Sequence, residues 1–98
     1  MKVIADIAII PIGVGVSLSK YIAACERVLM EAGLEPDLHA NGTNVEGEWD
    51  VVFAALKGCH EVLHEMGVPR AATNLRIGTR FDRTQSMQDK IDSVMQKL

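Results

Sequence analysis

Aromatic residues are scarce in this sequence of 98 residues, where phenylalanine, tyrosine and tryptophan together make up 4% of the chain. Hydrophobic residues nevertheless make up 48% and charged residues 23%, a composition typical of an ordered globular protein with a mainly aliphatic core. A chain of this length can bury one hydrophobic core. We therefore expect residues 1–98 to form a single domain.

A long apolar run and a surplus of basic residues are also absent. The opening segment Val3–Ile10 is too short to span a membrane, contains Asp6 and lacks the features of a signal peptide. Ten basic and thirteen acidic residues give a formal net charge of −3, without the basic stripe of nucleic-acid-binding modules. The sequence therefore argues against membrane and nucleic-acid partners and permits a small cationic ligand.

Cysteine is rare as well. The two cysteines, Cys25 and Cys59, both fall on the apolar stripes of predicted helices, which is the ordinary place for reduced core thiols. A disulfide framework is not expected. We therefore predict a protein of the reducing cytoplasm.

Two segments have the apolar spacing of helices that pack on a sheet. Ser17 or Ser19 is expected to cap the first helix, because a serine oxygen can accept the free amides of the first turn. Gly33 is expected to end that helix. Asp50 is expected to cap the second helix, and Gly67 to end it.

The dipeptide Asn41-Gly42 favours a two-residue hairpin turn, because a type I′ turn needs positive φ at both positions. This turn would pair His39 with Asn44. It would also divide the hairpin into an apolar face and a polar face. The polar face would be formed by Asp37, His39, Asn44 and Glu46.

The outer elements complete the pattern. Strands are predicted at Lys2–Ile10, which the segment Pro11-Ile12-Gly13 should end, and at Ala71–Phe81. A short C-terminal helix should follow, opened by a capping box of Ser86 and Asp89. The order β-α-β-β-α-β predicts an α+β, ferredoxin-like fold: a four-stranded antiparallel sheet of order 4-1-3-2 with both main helices on one face.

The sheet face left uncovered by the helices is expected to be largely polar. Asp6 is its most informative residue, because an unpaired carboxylate buried in a central strand is costly. Its partner would be either Arg76 on the neighbouring strand or the amine or cation of a ligand. Such a mixed face also suits packing between subunits. The polar residues expected on it are Asp6, His39, Asn44, Glu46, Asn74, Arg76 and Arg80.

The segment His60–His64 matches the H-E-x-x-H pattern of zinc-dependent hydrolases, in which two histidines bind zinc and the glutamate is the general base. Helical geometry argues against that role. His60, His64 and Glu61 lie about 80°, 120° and 180° from the apolar stripe of their helix. All three are therefore expected to point to solvent, and we predict neither a metal site nor a catalytic residue.

The loop after the first strand contains Gly13, Gly15 and Ser17. Backbone amides at a strand-to-helix junction can bind an anion. The loop lacks the third glycine of a dinucleotide motif and the lysine of a P-loop. It is a candidate anion site, and a flexible turn is the alternative interpretation.

Several segments together resemble the small thiamine-binding proteins of the YkoF-like superfamily, and the likeness covers almost the whole chain. One departure from the family pattern is Phe81, where a second arginine is expected before the aspartate. The His-Glu of the zincin-like segment belongs to the family pattern, and His64 completes it by coincidence. The segments that carry the resemblance are Ile9–Gly13, Ser17–Tyr21, Asn41–Glu48, Cys59–Glu61 and Thr73–Asp82.

The resemblance implies a ferredoxin-like thiamine-binding domain, assembled as dimers that pair into tetramers through their sheets. It also implies binding of thiamine or its hydroxymethylpyrimidine moiety without catalysis and without a further cofactor. We place the ligand on the polar sheet face at a subunit interface, where carboxylates and amides can meet its charge and its ring edge. The expected ligand-binding residues are Asp6, His39, Asn44, Glu46, Asn74, Arg76 and, although the register turns it to the helix side, Thr43.

Two other classes of function remain open at this point. The fold can serve oligomerisation or regulation alone, without a small ligand. A zinc-dependent hydrolase using His60, Glu61 and His64 is the other alternative. The zinc content of the purified protein distinguishes a zinc-dependent hydrolase from a ligand-binding protein. A ligand titration distinguishes a ligand-binding protein from a protein that serves only oligomerisation or regulation.

Overall fold

The computed structural model of the protein describes residues 1–98 and contains four strands and three helices. The strands form one antiparallel sheet of order β2-β3-β1-β4, which confirms the predicted order and the α+β, ferredoxin-like architecture. None of the helices combines the length and the apolarity that a membrane span requires. In chain order the elements are β1 Lys2–Ile12, α1 Ser19–Glu31, β2 Asp37–His39, β3 Gly42–Glu48, α2 Trp49–Glu65, β4 Arg70–Thr79 and α3 Met87–Met95.

The core lies between one face of the sheet and helices α1 and α2. Successive strand residues point to opposite faces, so Val3, Ala5 and Ile7 of β1 are all buried on the helix side. Apolar residues recur every three or four positions in the helices, which brings Leu29 of α1 and Leu63 of α2 into the same cluster. The other sheet face is free of both main helices, as predicted.

Strand β1 is longer than the sequence predicts. Its pairing with β4 continues through Pro11 and ends at Ile12, so the strand runs two residues beyond the predicted bound at Ile10 and stops directly before Gly13. Strand β3 pairs with β1 only as far as Ile7. The later part of β1 therefore has an open side, and a proline is tolerated at such an edge because its missing N–H breaks no ladder bond.

The hairpin register differs from the prediction by two residues. His39 pairs with Gly42 and not with Asn44, so Ala40-Asn41 forms the turn. None of these turn residues has a positive φ, which excludes the predicted type I′ turn. Because the shift is an even number of residues, every side chain keeps its predicted face.

The starts of the two main helices also differ from the prediction. Helix α1 begins at Ser19 and α2 at Trp49, and no side chain caps either start. The predicted caps Ser17, Ser19 and Asp50 are therefore wrong. Helix α2 follows β3 without a loop, which places Asp50 inside the first turn, where its carboxylate interacts favourably with the helix dipole.

The predicted helix ends and the C-terminal cap are confirmed. Gly33 and Gly67 have φ values of 82° and 89°, a conformation that glycine adopts without strain. The Ser86 hydroxyl accepts from the Asp89 amide at 3.0 Å, and the Asp89 carboxylate accepts from the Ser86 amide at 2.9 Å. This capping box opens α3 as the sequence predicts.

Strand β4 ends two residues earlier than predicted, so Phe81 lies beyond the sheet and is fully exposed. Helix α3 is held to the open sheet face at its first turn, where the Met87 amide donates to Glu46 Oε2 at 2.9 Å. No residue of α3 is buried. Its apolar side chains, among them Ile91 and Val94, remain exposed.

Candidate functional site

Two clefts lie along strand β1 and share no lining residue. The first, which we call the edge cavity, has a volume of about 580 Å³ and lies between α1, the later part of β1 and the β2–β3 hairpin. The second, the sheet-face cleft, has a volume of about 700 Å³ and lies between β1, β4 and residues 80–85. Both are in the size range of small-molecule sites.

The edge cavity exists because β3 covers only the first part of β1 and leaves the later part of that strand without a neighbour on this side. The pairing of these strands stops at Ile7 with Thr43, whereas β1 continues to Ile12. Successive residues of a strand direct their backbone groups to alternate sides, so on this side the N–H and C=O groups of Ile9 have no strand partner. Residues 8–10 line the cavity. Such an edge can hydrogen-bond to a bound molecule as it would to a further strand.

The wall of the edge cavity is mainly apolar and holds one carboxylate. Ten of its 16 lining residues are hydrophobic, and Glu26 is the only acidic one. The Thr43 hydroxyl donates to Glu26 and lies 3.2 Å from each carboxylate oxygen. Burial raises the pKa of Glu26, and the Thr43 hydrogen bond opposes that shift. A partly desolvated carboxylate is therefore fixed by the hydroxyl group of Thr43, a residue that is only 5% exposed.

Helical spacing brings Glu26 to the cavity. Ser19, Ile22, Ala23 and Glu26 recur at three- and four-residue intervals and share the face of α1 that meets the hairpin. Glu26 is not among the predicted site residues, although the sequence carries a signal for it. The glutamate directly follows the buried Cys25, at the margin of the apolar stripe.

Three of the predicted ligand-binding residues, Asp6, Asn44 and Arg76, meet in the sheet-face cleft. They form one row across the sheet, because Asp6 pairs with Asn44 on β3 and with Arg76 on β4. The cleft is otherwise strongly basic, with five cationic side chains against the single carboxylate of Asp6. The cationic residues are Lys2, Arg76, Arg80, Arg83 and Lys90.

Asp6 is already paired within the protein. His39 Nε2 lies 2.7 Å from Asp6 Oδ1, and Arg76 Nη2 donates to Asp6 Oδ2 at 3.3 Å. The hydrogen bond from His39 is the main cause that holds the pKa of Asp6 below its usual value, with a smaller contribution from Arg76 and opposition from burial. The predicted partner Arg76 is thus present, and His39 is a second, closer one.

The His39 ring reaches Asp6 across Gly42. A Cβ atom at position 42 would lie 2.9 Å from the Ile7 carbonyl oxygen, 3.0 Å from Asp6 Oδ1 and 3.1 Å from His39 Cε1. A side chain there would therefore collide with the backbone and with both partners of the hydrogen bond. The glycine of the Asn-Gly dipeptide serves this close approach, since it forms no positive-φ turn.

The remaining predicted site residues are dispersed. His39 and Thr43 line the edge cavity, so the predicted set is divided between two clefts. Glu46 lines neither cleft and accepts the amide of Met87 at the start of α3. Asn74 lies opposite Ala8 on the exposed side of β4 and also lines neither cleft.

The glycine loop has a structural role of its own. Gly13 has a φ of 92°, and a Cβ atom there would lie 2.7 Å from Pro69 Cγ. Gly13, Gly15 and Ser17 line neither cleft. Anion binding by this loop stays a prediction.

The H-E-x-x-H segment lies on α2 and makes contacts within the protein. His60 Nε2 lies 2.6 Å from the Thr73 hydroxyl on β4, and His64 Nδ1 lies 2.9 Å from the Val68 carbonyl oxygen. The prediction that His60 points to solvent is therefore wrong, because a side chain about 80° from the apolar stripe still reaches the neighbouring edge strand. No three histidine, cysteine, aspartate or glutamate side chains are grouped as metal ligands.

Comparison with known proteins shows relatives along nearly the full length of the chain. A family model described as thiamine-binding protein matches residues 5–95. The UPF0045 protein sll0230 of Synechocystis sp. is 55% identical over 94 residues, which cover 96% of this chain and 78% of that protein. The UPF0045 protein ECM15 of Eremothecium gossypii is 38% identical over 99 residues, which cover 100% of this chain and 94% of that protein.

Solved structures agree with this relationship. Protein MJ1052 of Methanocaldococcus jannaschii superposes with a TM-score of 0.89 at 32% identity, covering 96% of each chain. A Thermotoga maritima protein, named as a candidate for thiamine biosynthesis or salvage, has a TM-score of 0.80 at 20% identity, covering 96% of this chain and 99% of that one. The latter likeness shows a shared fold. Because the family model spans residues 5–95, this chain belongs to the family of thiamine-binding proteins.

Proposed function

We propose that this protein binds thiamine, or its hydroxymethylpyrimidine moiety, without catalysis, and that the pyrimidine ring occupies the edge cavity. Membership of the thiamine-binding family supports the class of ligand. The name of the Thermotoga maritima neighbour points to the same vitamin. The observation that carries the location is the partly desolvated Glu26 carboxylate in a mainly apolar cavity.

The groups around the edge cavity match those of an aminopyrimidine. The apolar wall contacts the faces of the planar ring, and the exocyclic amine donates to the carboxylate of Glu26. The backbone N–H and C=O groups of Ile9, which point to the side that β3 leaves open, are placed to pair with the ring nitrogens. Each of these is a binding contact that needs no bond to be made or broken.

The charges of the two clefts favour the edge cavity for this ligand. Thiamine is a permanent cation, whereas the sheet-face cleft presents five cationic side chains and one carboxylate. That carboxylate, Asp6, is already engaged by His39 and Arg76. The alternative location is the polar sheet face at a subunit interface, with Asp6, Asn44 and Arg76 as the contacting residues.

We also propose that the protein assembles with copies of itself. The open sheet face leaves Ile10 and Ile12 exposed, and α3 leaves Ile91 and Val94 exposed. Apolar surface of this kind on a small domain is commonly buried between identical subunits. A function in oligomerisation or regulation alone, without a small ligand, is the competing proposal.

A calorimetric titration with thiamine tests the location of the ligand. Glu26→Gln keeps the shape of the side chain and removes its charge, so we expect thiamine affinity to fall by about tenfold or more, the loss of one charge-assisted hydrogen bond. Thr43→Val should weaken binding as well, because it frees the carboxylate that Thr43 now positions. Glu31→Gln, on an exposed position of the same helix, is the matched control and should bind as the wild type does.

The outcomes of this titration are distinct. Wild-type affinity in Glu26→Gln together with a large loss in Asp6→Asn would move the site to the sheet face. The absence of thiamine and hydroxymethylpyrimidine binding to the wild type would leave oligomerisation as the function. Affinity should also weaken on acidification, and the raised pKa of Glu26 makes this loss begin at a higher pH than for an ordinary glutamate.

A further inference from the structure

The sheet-face cleft concentrates positive charge in an acidic protein. The chain has ten lysine and arginine residues and a net charge of −3, yet five of those ten line this single cleft. Asp6 is the only acidic residue among the 16 that line it. Long-range attraction for a large polyanion is absent at this net charge, so the accumulation points to a small anionic ligand.

The cationic side chains of the cleft differ in how many ion pairs and hydrogen bonds they already form within the protein. Arg80 is engaged through all three guanidinium nitrogens, two with the Asp82 carboxylate at 2.6 and 2.9 Å and one with Gln85 Oε1 at 3.1 Å. Lys2 lies 3.6 Å from a carboxylate oxygen of Glu46. Arg80 therefore shapes the wall, while Lys2 is partly neutralised.

The other three cations remain available. Arg76 is 88% exposed in its side chain and has one hydrogen bond, at 3.3 Å, to Asp6. The side chains of Arg83 and Lys90 form no ion pair and no hydrogen bond. Thr84, whose hydroxyl is also unpaired, lies on the same wall. The cleft thus offers two guanidinium groups, an ammonium group and a hydroxyl group to a ligand.

The nearby carboxylates keep their charge, and those of Asp82 and Asp89 attract Arg83, but each has a structural contact of its own and none forms an ion pair with Arg83 or Lys90. Asp82 is bound by Arg80, and Asp89 accepts the amide of Ser86 in the capping box. Glu46 accepts the amide of Met87. Each of these carboxylates therefore accepts hydrogen bonds from a residue between Arg80 and Met87, the segment beside the cleft.

We propose that the sheet-face cleft binds a small phosphorylated molecule through Arg76, Arg83 and Lys90. Guanidinium groups match phosphate oxygens with paired hydrogen bonds, and an ammonium group adds a point charge. A volume of about 700 Å³ holds a phosphate together with the organic group that it esterifies. This site is distinct from the edge cavity and goes beyond the proposed function.

The test is a titration of the full-length protein with inorganic pyrophosphate. Arg83→Gln combined with Lys90→Gln should weaken binding by about tenfold or more. Arg27→Gln combined with Lys57→Gln removes the same charge from exposed positions on α1 and α2 and should change affinity by less than about twofold. Equal losses in the two double variants, or no saturation of the wild type at millimolar pyrophosphate, would overturn the proposal.

Two further titrations identify where the phosphate comes from and separate this proposal from the previous one. If the phosphate belongs to a second ligand, pyrophosphate binds the thiamine-saturated protein, and thiamine diphosphate binds no more tightly than thiamine. If it belongs to a thiamine ester, thiamine diphosphate binds more tightly than thiamine, and the gain disappears in the Arg83→Gln, Lys90→Gln variant. Glu26→Gln should keep full pyrophosphate affinity, so a failure of the edge cavity as the thiamine site leaves this test intact.

Discussion

Replacing Asp6 with asparagine isolates the polar cluster on the open sheet face. Breaking a fully buried ion pair costs about 3–5 kcal/mol, because a desolvated charge is left without its partner. The Asp6 side chain is instead 28% exposed, and Arg76, at 88% exposed, returns to water without penalty. The hydrogen bond from His39 can still be accepted by the asparagine side-chain oxygen, so the variant mainly loses the negative charge that strengthens this bond. We therefore expect the free energy of unfolding at pH 7 to fall by about 1 kcal/mol.

The stability difference between the wild type and Asp6→Asn should depend on pH in a defined direction. The folded-state pKa of Asp6 is lowered, first by the His39 hydrogen bond, so its contribution to stability is complete above the unfolded-state pKa of about 3.9. The contribution is lost as the pH falls through the lower, folded-state pKa. The wild type should accordingly exceed Asp6→Asn in stability near neutrality, and the difference should shrink once the pH drops below about 4.

Urea denaturation at a series of pH values measures both quantities. Asp37→Asn is the matched control, since Asp37 lies on β2 on the same sheet face and its side chain forms no hydrogen bond. A loss above about 3 kcal/mol at pH 7 would show that Asp6 leaves a buried charge behind it. A difference that grows on acidification would refute the assignment of the lowered pKa.

Two other predictions concern α2 and the assembly. His60→Ala should lower the free energy of unfolding by about 1 kcal/mol, because it removes a half-buried hydrogen bond to Thr73. Thr73→Val should have a similar effect. The two effects should not be additive, which a double-mutant cycle measured by denaturation would show. Light scattering should give a mass two or four times that of the 10.7 kDa chain. Ile91→Lys on α3 should lower that mass if α3 lies in the interface. A monodisperse monomer at micromolar concentration would contradict self-assembly.

The sequence predicts the fold well because periodicity reports burial directly. Alternation along β1 places Val3 and Ile7 in the core, and Gly33 and Gly67 mark the helix ends through their positive φ values. The hairpin register is less well determined, because a turn at Asn41-Gly42 and one at Ala40-Asn41 expose the same faces. Hydrophobic pattern cannot separate two registers that differ by two residues. In the observed register, Gly42 leaves room for the hydrogen bond between His39 and Asp6.

The candidate site was predictable only in part, for a geometric reason. Asp6, Asn44 and Arg76 share the sheet face that strand alternation predicts, and the structure brings them together in one row. Glu26 and Thr43 form a site because the pairing of β3 with β1 covers only residues 2–7 of β1. The later part of β1 is paired with β4 alone, so α1 lies beside an open strand edge. The length of one strand relative to its neighbour depends on backbone geometry and leaves little trace in composition.

The hydrogen bond between His39 and Asp6 spans the boundary between the two clefts. His39 lines the edge cavity, Asp6 lines the sheet-face cleft, and 2.7 Å separates the two side chains. Arg76, offered to an anion on one side, is the second partner of that same carboxylate. Any effect of an edge-cavity ligand on anion affinity would therefore pass through this shared carboxylate. By thermodynamic reciprocity, the anion would then change the affinity for that ligand by the same factor.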